Sequence, residues 1–101
     1  MHSSEILLAA FLEEDYLSLE QLSSLCKVEQ EWILSHIDDG LLTGLCGESG
    51  IWRFPLSELT RTRRIVSIER NFDAVPELAA LVADLQEELE KLRAQLARSP
   101  G

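Results

Sequence analysis

The sequence predicts a mainly α domain of winged helix-turn-helix type, with a short β-hairpin and a long C-terminal amphipathic helix. Three observations predict it. Two short apolar-periodic segments are joined by only three residues, a glycine-rich stretch leads into alternating bulky residues, and a leucine heptad fills the last quarter of the chain. At 101 residues and 46% apolar content, the chain can bury one modest core.

The elements follow in order. Glu5–Leu12 (EILLAAFL) is apolar without a period and is assigned to an edge strand. Tyr16-Leu17 leads into a helix start at Ser18, where Ser18 and Gln21 have the S-x-x-Q spacing of a capping box. Leu19, Leu22 and Leu25 follow at helical spacing, and Cys26-Lys27-Val28 forms a turn. A second helix is expected over Glu29–Asp39, with Ile33 and Ile37 on one face and Gly40 as its stop. Gly44, Gly47 and Gly50 then precede Ile51-Trp52-Arg53-Phe54, which reads as a hairpin, or wing, ended by Pro55.

A third helix is expected over Ser57–Arg70. It places Leu59, Thr62, Ile65, Val66 and Phe72 on one face and Arg63, Ser67 and Arg70 on another. Asn71–Val75 breaks it, with Asp73 as a cap and Pro76 near the first helical position of the next element. In that last helix Leu78, Val82, Leu85, Leu89, Leu92 and Leu96 are spaced 4, 3, 4, 3, 4, which is a heptad seam. Residues 1–74 thus read as a helix-turn-helix and wing domain and 75–98 as a heptad helix. The helix is too long for its own small domain to cover, so it is expected to pair with a second copy or with another partner helix, and a homodimer through this seam is preferred.

Charge is unevenly divided. Residues 1–50 hold ten acids and one base, Lys27, whereas residues 51–101 hold eight of each, so the net charge of −9 lies entirely in the first half. The order of elements is similar to that of MerR-type DNA-binding regulators. Duplex DNA, however, is bound through Lys and Arg on phosphates. The second helix, which would enter the groove, carries Glu29, Glu31, Asp38 and Asp39 and no base, and the wing offers Glu48. No nucleic-acid partner is expected. Arg61, Arg63, Arg64 and Arg70 are assigned to a solvated face that pairs with Glu58 and Glu69 at helical spacing.

Chemistry is sparse. Zinc would need about four converging ligands, and the sequence offers Cys26, Cys46, His2 and His36 without CxxC spacing. No metal or cofactor is expected, and two reduced, half-buried thiols are preferred to a disulfide. His36 lies on a helix beside Trp32, where a partly buried histidine is the simpler reading, and no nucleophile–base set or phosphate loop can be assembled. The chain is read as non-enzymatic. Trp52 and Phe54 share a strand face and are assigned to the core, while Trp32 stays open between core and interface. No apolar run nears the ~20 residues of a membrane span, and a cytoplasmic location is expected.

Several pieces, in order, carry a resemblance. Leu17-Ser18-Leu19-Glu20-Gln21-Leu22 before Cys26-Lys27-Val28, Glu31-Trp32-Ile33 before Asp39-Gly40-Leu41-Leu42, Trp52-Arg53-Phe54, the Arg-rich third helix and Leu89-Glu90-Lys91-Leu92-Arg93 together resemble the CbpM-type chaperone modulators, over about residues 17–96. The resemblance implies a protein that binds the J-domain of a DnaJ-like co-chaperone and blocks its cooperation with Hsp70. A J-domain of that kind presents a basic helix face. Glu29, Glu31, Asp38, Asp39 and Trp32 are the candidate contacts. A MerR-like DNA-binding regulator and a coiled-coil adaptor are the alternatives.

Overall fold

A computed structural model describes residues 16–98, and the strand expected over residues 5–12 lies outside the described residues. The order is β1 (Tyr16–Ser18), α1 (Leu19–Cys26), α2 (Gln30–Asp38), β2 (Leu45–Cys46), β3 (Trp52–Pro55), α3 (Leu56–Phe72) and α4 (Pro76–Arg98). The described residues are mainly helical, with a small antiparallel sheet of order β1-β3-β2.

The expected hairpin is β2–β3, paired Leu45 to Arg53 and Cys46 to Trp52. The third strand was not expected. β1 pairs with β3 so that Leu17 lies opposite Phe54, and both side chains are fully buried. Three residues are too short to display alternation, so only the partner strand defines this one. Ser18 closes β1 and caps α1. Its Oγ accepts from the Gln21 N–H at 3.1 Å while its own N–H donates to Gln21 Oε1 at 2.8 Å, which is the capping box read from the sequence.

Lys27 takes a left-handed conformation (φ 58°) and turns the chain from α1 to α2. Gly40, also at positive φ, lets the chain leave α2 so that the Leu41 and Leu42 N–H groups return to the His36 carbonyl at 2.8 and 3.2 Å. Gly44 is required for a different reason. A Cβ there would stand 2.6 Å from Phe54 Cε1 and 2.9 Å from Trp52 Cε3, so the loop can lie against the aromatic pair only without a side chain. Those two rings are stacked with centroids 6.0 Å apart; Phe54 is in the core and Trp52 packs against it, as expected.

The core gathers Leu17, Leu22, Leu25, Ile33, Leu42, Phe54, Leu59, Ile65 and Ile68 from every part of the body. Thr62, buried on α3, satisfies its hydroxyl on the Glu58 carbonyl at 2.6 Å. Two expectations for α3 are corrected. Phe72, assigned to the buried face, is 75% exposed, because the helix runs past the core and its last three residues, Arg70, Asn71 and Phe72, all meet solvent. Asp73 is a cap, but at the left-handed C-terminus of α3 (φ 51°), a conformation that Asp tolerates, and Pro76 opens α4.

The α3–α4 contact is made by small residues. Ala79, Ala80 and Ala83 are buried against the body, and no residue of α4 beyond Ala83 is buried. Alanine lets two helix backbones come close. At ~1.5 Å per residue α4 spans about 34 Å against about 25 Å for α3, so its end projects.

Candidate protein-interaction surface

Glu31 and Asp38 are seven residues apart, two turns of α2, and therefore share a face with Leu34 and Ser35 between them. All four are exposed, as are Glu29 at the N-cap and Asp39 at the C-cap. Opposite lie Ile33 and His36, buried in the body. The sequence pattern named the acids but passed over Leu34, the apolar residue in their midst; its offset from Ile33 and Ile37 was the available signal. A shallow groove of about 460 Å³ runs beside this face, lined by Ser23, Val28, Glu29, Gln30, Glu31 and Leu34.

Trp32 stands at the edge of the same helix and is half-buried. Its indole stacks on the His36 ring (centroids 3.6 Å apart) and its Nε1–H donates to Glu69 Oε1 at 3.2 Å. His36 in turn sits 2.7 Å from Glu69 Oε2 through Nε2 and 2.7 Å from the Trp32 carbonyl through Nδ1. Both ring nitrogens thus face oxygens. This knot ties α2 to α3. Glu69, expected to pair with a neighbouring arginine, is its hub, and the 33-residue separation from His36 hid it from any local reading. Lys27, Val28, Glu29, Trp32, Val66, Glu69 and Arg70 line a cleft of about 470 Å³ above it.

The arginines are also placed differently from the helical pairing expected. Arg61 pairs with Asp84 and donates Nε–H to the Leu41 carbonyl at 2.9 Å; Arg64 pairs with Glu90. Arg70 donates to the Lys27 carbonyl at 2.6 Å. Long side chains found partners on other elements, which helix spacing cannot foresee. Glu58 accepts from the Thr43 N–H at 3.2 Å. Burial raises its pKa above the ordinary carboxylate value; the Thr43 N–H and then Arg61 oppose the rise, and Glu87 adds to it.

Among the described residues no three His, Cys, Asp or Glu side chains converge as a metal site needs, and no helix is long and apolar enough to cross a membrane. Cys26 and Cys46 are both free, one buried and one exposed where two half-buried thiols were expected. Burial pushes the Cys26 thiol up to about 11, against the opposing pull of Arg63.

The six heptad residues form the second candidate surface. Leu78, Leu85, Leu89, Leu92 and Leu96 are between 46% and 75% exposed, and Val82 is half-buried against the body. Comparison with known protein families, characterised proteins and solved structures returned no match.

Proposed function

We propose that this chain is a non-enzymatic chaperone modulator, a winged helix-turn-helix of MerR-like type turned from DNA to protein, which binds the J-domain of a DnaJ-like co-chaperone and inhibits its cooperation with Hsp70. On this reading α1 and α2 are the helix-turn-helix and β2–β3 the wing. The protein acts as a homodimer held through Leu78, Val82, Leu85, Leu89, Leu92 and Leu96.

The observation that carries the reading is the outward face of α2, where Glu31 and Asp38 flank Leu34 with Glu29 and Asp39 at the two ends and no base among them. The same helix in a DNA reader faces phosphates, and each acid there repels them. Three of the four arginines that might have compensated are engaged within the chain. A basic helix suits such a surface, since opposite potentials raise the association rate and exclude wrong partners. The CbpM resemblance names that basic helix as a J-domain's. The exposed leucine seam favours a coiled-coil adaptor as the second reading.

Calorimetric titration with the J-domain of a DnaJ-like protein tests the proposal. Wild type should bind, with an association rate that falls as salt rises, and Glu29→Lys with Glu31→Lys should weaken binding at unchanged fold. A J-domain that gives no heat, alongside salt-steep binding to duplex DNA, would replace this function with the regulator. Partner binding untouched by the two reversals but lost on disrupting the seam would favour the adaptor.

A further inference from the structure

The small sheet has one covered face and one bare face. Leu17 and Phe54 turn inward and are fully buried. Strand alternation and register therefore put Tyr16, Ser18, Leu45, Arg53 and Pro55 on the opposite side. There Ser18 and Leu45 flank Arg53 in one row across all three strands, and Tyr16 pairs with Pro55 in the next. Tyr16 is 37% exposed, Leu45 54%, and Ile51, just before β3, 63%. A hollow of about 420 Å³ opens beside them, lined by Tyr16, Ser18, Gln21, Ile51, Trp52 and Arg53 among others. Arg53 is exposed, is the only charged residue of the three strands, and makes no ion pair among the described residues. Exposed apolar residues that are grouped rather than scattered mark a contact surface.

The chain itself brings a matching segment to this spot. Residues 1–15 enter the sheet at Tyr16, and they contain the apolar run Ile6-Leu7-Leu8-Ala9-Ala10-Phe11-Leu12 followed by Glu13, Glu14 and Asp15. Leu12 is four residues from Tyr16, a tether of up to about 14 Å when extended. Three strands side by side span only about 10 Å. Phe11 and Leu12 can therefore reach Leu45 and Ile51, and the three acids of the tether stay close to Arg53. The α2 face suits this segment less, because Glu29, Glu31, Asp38 and Asp39 would repel the same acids. A tethered occupant also has an advantage over a free one, since attachment gives it an effective concentration on the order of millimolar. We infer that the bare face of the sheet is the docking site for residues 6–12 of the same chain, with residues 13–15 set against Arg53. The inference stands apart from the partner proposed above. The segment would close the apolar sheet face to other proteins and leave the acidic α2 face free to bind.

Disulfide trapping in the full chain tests it. Cys46→Ser removes the exposed native thiol, and Cys26 is buried. In that background Phe11→Cys with Leu45→Cys should close an intramolecular disulfide under mild oxidation. Phe11→Cys with Ile51→Cys should do the same and serves if the change in β2 disturbs the hairpin. Phe11→Cys with Leu34→Cys, on the α2 face, should close roughly tenfold more slowly, because only a docked segment concentrates its thiol at the sheet. Arg53→Glu should slow the cross-link to Leu45→Cys roughly two- to fivefold, the range of an exposed charge pair. Equal rates to Leu34→Cys and to both sheet positions would overturn the docking site. A disulfide formed in preference with Leu85→Cys would send the segment to the leucine seam and overturn it as well. Linkage between molecules alone would give the sheet face to a second copy, with the same result. An Arg53→Glu chain that cross-links as fast as its parent would overturn the charge contact.

Discussion

Two faces of α4 differ in both composition and fate. Toward α3 the helix shows Ala79, Ala80 and Ala83, the smallest side chains available, and all three are buried. On its other side it shows Leu78, Leu85, Leu92 and Leu96, with Leu89 at the border beside Arg64, and all five are between 46% and 75% exposed. A helix that served only its own domain would place the leucines inward, because each fully buried leucine is worth roughly 1.5–3 kcal/mol and an alanine much less. The inversion teaches that the alanines set a close approach to α3 while the greater apolar surface is left in solvent, and the homodimer proposed above would cover it.

The sharpest way to break the comparison is to charge the bare face. Leu85→Glu with Leu89→Glu should abolish self-association, with a loss of several kcal/mol given the burial forgone in both chains. The body should stay folded, because neither residue touches its core. Sedimentation velocity and circular dichroism together read both halves of the prediction. A double variant that remains dimeric would assign the interface to another surface.

The covered face should respond in the other sense. Ala79 has no exposed surface, so Ala79→Leu must push α4 from α3 and should cost about 1–3 kcal/mol of folding stability. Urea unfolding in the Leu85→Glu, Leu89→Glu background keeps association out of the measurement. Stability unchanged by the larger side chain would mean that the contact is loose enough to slide, and the contrast between the faces would lose its meaning.

What the sequence disclosed follows the same division. Periodic and capped features were legible: the Ser18–Gln21 box, the stop at Gly40, the hairpin, Pro76 at the helix start and the long last helix. Features that exist only through a partner distant in sequence were not. β1 is defined by β3, Glu69 by His36 and Trp32, and the roles of Arg61 and Arg64 by Asp84 and Glu90. The acidic surface was legible because charge needs no partner to be seen, whereas Leu34 within it was hidden by its single apolar character. Phe72 misled because a helical wheel has no knowledge of where the core ends.

Between the two faces of α4 lies the charged strip, where smaller effects are expected. Arg61→Ala removes an ion pair with Asp84, which is 58% exposed, and a bond to the Leu41 carbonyl. Arg64→Ala removes only a pair with Glu90, which is 62% exposed. Exposed pairs are worth about 0.2–1 kcal/mol and a hydrogen bond to a backbone carbonyl about 0.5–1.5 kcal/mol more. The Arg61 variant should therefore be the less stable of the two, and added salt should narrow the gap between Arg64→Ala and wild type. Equal losses would show that the Leu41 carbonyl finds water in place of the guanidinium.

The smallest effect belongs to Glu58, on the same strip. Burial raises its pKa above the ordinary carboxylate value, with Glu87 adding to the rise against the Thr43 N–H and Arg61. A raised folded-state pKa means that the folded chain holds this proton more tightly than the unfolded chain. The stability it contributes is complete below the unfolded value and is lost as pH rises through the folded one. At pH 7 the buried charge is therefore a net burden that a neutral isostere avoids. Glu58→Gln retains an oxygen for the Thr43 N–H and should raise stability at pH 7 by under about 0.5 kcal/mol, the range of minor substitutions. The gain should shrink toward zero as pH falls through the carboxylate range and wild type becomes protonated. Comparing the two proteins at each pH cancels the other acids. A variant less stable than wild type at pH 7 would show that the attraction of Arg61 outweighs desolvation at this site. The strip between α3 and α4 would then be held by its charges as well as by its alanines.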